Sequence, residues 1–243
     1  MEHLRRPVKL GLKVIEVQPY DTETELNVLE YLAVDDMDES DRDDDYYETL
    51  VLDFLERLTS YDVRSLSKIE RILLVWKIRE ITIGDEVDVV YKCPGCGRVQ
   101  QDSISAKDLC QYAESDKFIS SEDFQSLSLN PADYADMDYD EFLNYQNNLS
   151  DYYNIYNNKI PLECKNCKHT GINNLLTYKN CMKFLSEDSF ISLTEWLNVL
   201  VYYGHHIRSD VLKMTPMQRM LEIKYFKKIK DSENKQNGTN QTR

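Results

Sequence analysis

Residues 91–98 read Tyr91-Lys92-Cys93-Pro94-Gly95-Cys96-Gly97-Arg98, and Glu163-Cys164-Lys165-Asn166-Cys167-Lys168 repeats the spacing further along the chain. Each Cys-x-x-Cys pair sets two thiols on a tight turn, where both sulfurs reach one ion and backbone amides support the thiolates. Four such sulfurs make a tetrahedral shell for zinc at about 2.3 Å. Pro94 and Gly95 favour the turn and Gly97 lets the chain reverse, so the first pair is characteristic; the second is weaker alone and gains force from the first. A redox pair is the competing reading, but it normally opens a helix within a thioredoxin-like pattern. Here Val87, Val89 and Tyr91 alternate into the cysteines, and Val99 and the Ile104 region can return as a second strand. That is a hairpin with cysteines at its tip. The expectation is one structural zinc held by Cys93, Cys96, Cys164 and Cys167. A catalytic zinc usually keeps three protein ligands and an open position for water, which a closed four-thiol shell lacks.

Upstream, Val8, Leu10, Leu12 and Val14 alternate with other residues before Ile15 and Val17, the period of a half-buried strand ending at Pro19. Thr22 and Glu25 form a T-x-x-E box for a following helix. Asp35–Asp45, crowded with like charges, reads as a solvated loop, and it lacks the glycine and terminal glutamate of a calcium loop. Leu50, Val51, Phe54, Leu55 and Leu58 fall at helical spacing. Another helix begins at the S-x-x-E box Ser67–Glu70, with Ile69, Ile72, Leu73 and Trp76 as its buried stripe and Arg71, Lys77, Arg79 and Glu80 as its solvated flank.

Downstream of the first cysteine pair, residues 111–163 are polar, and Tyr139, Phe142, Tyr145, Leu149, Tyr152, Tyr153 and Tyr156 recur at three- and four-residue steps. One amphipathic helix fits, with its tyrosines packing on their own domain in preference to a partner. Ser192 and Glu195 suggest a cap for a helix carrying Leu193, Trp196, Leu197, Leu200 and Val201, stopping near Gly204. Thr215-Pro216 and Gln218 open a last helix, with Met217, Met220, Leu221, Tyr225 and Ile229 available for one face. The polar stretch Ser232–Arg243 reads as disordered. Cys110 and Cys181 each lie 14 residues after their cysteine pairs, but the flanking residues barely match, so both read as buried packing. His169 and His205-His206 read as surface or capping histidines.

The fold class expected is therefore α+β, mainly helical, with an N-terminal strand and an inserted zinc-ribbon-like hairpin module. The organisation reads as residues 1–86 (strand and helices), 87–176 (the zinc module with its tyrosine-rich insertion), 177–231 (C-terminal helices on the core) and a tail at 232–243.

Among 243 residues, 29 bases against 43 acids leave a net charge of −14, which opposes nonspecific binding to a nucleic-acid backbone. The charge is uneven: Asp35–Glu48 holds nine acids and one base, whereas Arg208–Arg243 holds nine bases and four acids. No apolar run approaches a membrane span, and no signal-peptide core follows the N-terminal charges, so a cytoplasmic, non-membrane protein is expected. Phosphate-loop, dinucleotide, nucleophile-elbow, HExxH and deaminase patterns do not occur, and a binding protein is expected in place of an enzyme.

The segment Leu55–Arg79, followed by Ile83-Gly84-Asp85 and the cysteine turn at Cys93–Gly97, resembles the baseplate hub assembly proteins of T4-like contractile-tailed bacteriophages. The resemblance covers roughly residues 8–97, with a weaker echo in Ser209–Lys228. It implies a phage protein that builds the central baseplate hub by contacts with other tail or hub proteins, with no cofactor beyond a structural metal. It also implies residence in the host cytoplasm during assembly and a possible place in the virion baseplate. The surfaces expected to make those contacts are Leu66–Arg79 and Met214–Phe226, with Arg71, Arg79 and Arg219 taken as exposed. The alternative is a zinc-ribbon nucleic-acid-binding or transcription regulatory protein, favoured by the cysteine turns and the basic C-terminal helix and opposed by the net charge.

Overall fold

The computed structural model describes residues 4–35, 44–110, 137–144, 146–147, 159–174 and 176–240. The alternating segment expected as one strand is two, β1 (Arg6–Leu10) and β2 (Lys13–Val17), paired antiparallel with Leu10 opposite Lys13. The break is at Gly11, whose φ of +57° suits a residue without Cβ. Reversal there puts Val8, Leu10, Ile15 and Val17 on one buried face and leaves Leu12 exposed at the tip. Period two continued through the turn, so the pattern concealed it.

Helix α1 (Thr22–Asp35) is capped one residue earlier than expected, Asp21 accepting the Thr24 N–H at 2.9 Å. Thr22 and Glu25, freed from a capping role, are both buried. Helix α2 (Asp44–Leu58) buries Tyr47, Leu50, Val51, Phe54, Leu55 and Leu58, and a 3-10 turn at Val63–Ser65 leads to α3 (Lys68–Thr82). Residues 36–43, most of the expected acidic loop, lie outside the described residues, while Asp35 ends α1 and Asp44 and Asp45 begin α2.

Helix α3 is the centre of the fold. Its capping box forms as read, Glu70 accepting the Ser67 N–H and the Ser67 hydroxyl accepting the Glu70 N–H. The predicted stripe is buried, Trp76 stacking on Phe184. Of the predicted solvated flank, Arg71 and Glu80 are partly exposed and the other two residues are not. Lys77 is buried, and so is Arg79 at 1% exposure. Arg79 instead donates to three carbonyls, those of Phe184 at 2.8 Å, Gly84 at 2.8 Å and Glu86 at 3.0 Å. Arg71 reaches Glu48, the carbonyls of Val63 and Arg64, and the Tyr178 hydroxyl. A helix covered on nearly every side cannot offer Leu66–Arg79 as a contact surface.

Strands β3 (Glu86–Lys92) and β4 (Val99–Ser105) form the expected hairpin, followed by α4 (Ala106–Cys110). Its base is fixed to the core by Val87, Val89, Ala106 and Leu109, and is closed by Asp85, which accepts the Ser105 hydroxyl and the Lys107 N–H. Another antiparallel hairpin, β5 (Lys159–Glu163) with β6 (Thr170–Asn174), carries the later cysteines. Helices α5 (Tyr178–Lys183), α6 (Phe190–Asn198, running into a π turn at Val199–Tyr203), α7 (Arg208–Leu212) and α8 (Pro216–Asn240) complete the chain.

The described residues are mainly helical, with three two-stranded hairpins. The main core draws on the first hairpin, α2, α3, β3, α4 and α5, and includes Cys110 and Cys181 as buried packing. A smaller cluster joins Leu197, Leu200, Val211 and Ile223, with Leu26 of α1 packed against it. Helix α6 is capped by Ser189, three residues before the expected Ser192, whereas the Thr215–Gln218 box at α8 forms as read. Helix α8 continues to Asn240, through most of the stretch expected to be disordered. Of the tyrosine-rich segment, 139–144 and 146–147 are helical with Tyr139 exposed; Tyr145, Leu149, Tyr152, Tyr153 and Tyr156 lie outside the described residues.

Candidate metal centre

The two cysteine turns are built alike. In the first, the Cys93 N–H donates to the Arg98 carbonyl at 2.9 Å and the Gly97 N–H to the Cys93 carbonyl at 2.8 Å. In the second, the Cys164 N–H donates to the His169 carbonyl at 2.9 Å and the Lys168 N–H to the Cys164 carbonyl at 2.9 Å. The flanking registers also correspond, Lys92 opposite Val99 and Glu163 opposite Thr170. The residue after the second cysteine is left-handed in both, Gly97 at φ +70° and Lys168 at φ +60°. Glycine adopts that conformation freely; lysine does so at a cost of about 1 kcal/mol.

The turns meet face to face. All four sulfurs lie within 4.8 Å of one another, with Cys93 Sγ 3.6 Å from Cys167 Sγ and Cys96 Sγ 3.7 Å from Cys164 Sγ. Thiolates arranged tetrahedrally around an ion at about 2.3 Å stand about 3.8 Å apart, so the spacing fits a metal shell. Cys93 and Cys164 are buried while Cys96 and Cys167 are exposed, one of each kind per turn. Backbone N–H groups of Cys167 and Asn166 hold the Cys164 thiol down at about 6. The Arg98 N–H likewise lowers Cys96. Cys167 receives an N–H from His169, yet desolvation and its three sulfur neighbours push it up to about 12. Sulfurs this close cannot all ionise by themselves, and a cation among them removes that penalty.

Contacts outside the sulfurs hold the turns together. Arg98 Nη1 donates to Asn166 Oδ1 at 2.9 Å, and Lys165 Nζ reaches the Gln101 carbonyl at 3.1 Å and Asp102 Oδ1 at 3.0 Å. His169 packs across Gly95, where an added Cβ would stand 3.0 Å from the His169 Cβ and Cγ. A side chain at Gly95 would crowd His169, and the backbone angle at Gly97 favours glycine. The sequence pointed to Gly97 and the four cysteines; the His169–Gly95 contact and the Lys168 angle carried no local signal.

Residues 1–137, more than half of the chain, match the family model described as T4 bacteriophage base plate protein. The chain belongs to that family and is a T4-like phage baseplate protein. The matched segment includes Cys93 and Cys96 and ends before Cys164 and Cys167. No curated protein and no solved structure gives a significant match. Among the described residues, no helix is long and apolar enough to cross a membrane.

Proposed function

We propose that this baseplate-family chain is a component or assembly factor of the baseplate hub, acting through contacts with other tail or hub proteins, and that Cys93, Cys96, Cys164 and Cys167 hold one structural zinc ion. The observation that carries the reading is the meeting of two equivalent cysteine turns in a chain whose first 137 residues match the baseplate family. Zinc suits an all-thiolate tetrahedral shell, and a shell closed by four protein sulfurs leaves no position for water or substrate. Its work is mechanical: it joins the hairpin fixed by Val87 and Val89 to a hairpin reached some 70 residues later, so folding and metal binding are coupled. Baseplate membership favours a role by stoichiometric contact over catalysis, with residence in the host cytoplasm during assembly and then in the virion baseplate. Co-purification of the tagged chain from infected cells tests the role: hub or tail proteins should accompany it in fixed ratio, and association with none of them sinks the hub reading.

A further inference from the structure

Helix α8 turns one face into the smaller core through Arg219 and Ile223, and its outer face carries a regular apolar row. Met217, Leu221, Tyr225 and Ile229 follow one another at four-residue steps and remain 38, 57, 64 and 39% exposed. Such residues form one ridge along a helix, here about 18 Å long. At its N-terminal end, Met217 also lines a groove of about 500 Å³ together with Leu4 and Ile83. Exposed Lys224 and Lys228 lie three residues after Leu221 and Tyr225 and border the row on one side. Glu222 lies on the other side, turned toward His206 at 3.7 Å.

An apolar ridge with one lysine edge, on a chain of net charge −14, has a definite complement. We propose that this row docks an amphipathic helix of another protein, with apolar residues along the seam and Glu or Asp along the edge that meets Lys224 and Lys228. The apolar contact supplies area and the charged edge supplies orientation. A second copy fits less well, because antiparallel pairing sets the same edge of each helix face to face and opposes lysine with lysine. The inference rests on the contact-based role proposed above and names the chemistry of one partner surface.

The test uses the full chain and two synthetic helical peptides with an identical leucine seam, one with a glutamate edge and one with a lysine edge, followed by fluorescence anisotropy. The glutamate peptide should bind at least about tenfold tighter than the lysine peptide. In Lys224→Glu/Lys228→Glu the preference should reverse. In Leu221→Ser/Tyr225→Ser both peptides should lose binding while thermal unfolding stays unchanged. Failure of both peptides to bind, a preference that survives charge reversal, or a wild-type dimer dispersed by Leu221→Ser/Tyr225→Ser would each overturn the proposal. Because no tail protein takes part, such a failure is distinct from a failure to co-purify with the hub.

Discussion

Replacing Arg219 by methionine removes the guanidinium from a buried junction of three segments. Arg219 Nη1 donates to Glu25 Oε2 at 2.6 Å and to Thr22 Oγ1 at 2.9 Å, and Nη2 donates to Asp188 Oδ2 at 3.1 Å. The Ser186 hydroxyl donates to the other Glu25 oxygen at 2.6 Å. Arg219 and Glu25 are 3 and 1% exposed, so the substitution leaves a buried carboxylate without its cation. Breaking one side of a buried pair costs about 3–5 kcal/mol, a large share of the roughly 5–15 kcal/mol of net stability typical of a folded domain. With a urea slope of about 2 kcal/mol/M, the midpoint should fall by roughly 2 M. Arg219→Met combined with Glu25→Gln should recover part of the loss, since the stranded charge is gone, and that non-additivity identifies the pair as the cause. A loss below about 1 kcal/mol in Arg219→Met, or no recovery in the double variant, would refute the reasoning.

Gly97→Ala should destabilise the chain by about 1 kcal/mol and Lys168→Gly should stabilise it by up to a similar amount, read by thermal unfolding with metal bound; equal effects of the same sign would contradict the left-handed geometry. Cys110 and Cys181 lie in the main core and desolvation raises the Cys181 thiol, whereas chelation should open the turns that bury Cys93 and Cys164, so alkylation after chelation should modify four thiols in the folded chain and six in denaturant. A fifth reactive thiol in the folded sample would count against that packing. Burial raises Tyr20, whose hydroxyl donates to the Leu185 carbonyl, and pushes Tyr178 up to about 12. Both phenols are stabilised neutral, so their contribution is intact below the unfolded tyrosine value of about 10 and is lost as pH rises from there toward 12. The unfolding midpoint should hold up to about pH 10 and fall above it; a midpoint unchanged at pH 11 would exclude those two groups.

The parts legible in the sequence are those fixed by neighbours along the chain. The Ser67–Glu70 box, the stripe of α3 and the turn at Cys93–Gly97 each use residues within one or two turns of one another, and periodicity and capping chemistry report them directly. Arg79 and Arg219 show the limit. Helical spacing placed Arg79 on a solvated flank, but its partners include the carbonyl of Phe184, 105 residues away; Arg219 reaches Thr22 across 197 residues. Nothing local distinguishes an arginine that folds over such partners from one in water, so charge reversal at Arg79 or Arg219 would disrupt folding before it tested an interface. The hairpin at Lys159–Asn174 was missed because Thr170-Gly171-Ile172-Asn173-Asn174 has no apolar alternation; the partners of its turn are distant in sequence, Arg98 for Asn166 and Asp102 for Lys165.

Elemental analysis of the folded, reduced full chain, paired with the single substitutions Cys93→Ser and Cys164→Ser, tests most directly whether the two turns share one ion. One zinc per chain in the wild type, with zinc lost in both variants although they lie on different hairpins, is the predicted result. A folded, reduced wild type without metal, or a Cys164→Ser variant that keeps its full zinc, would contradict the shared site.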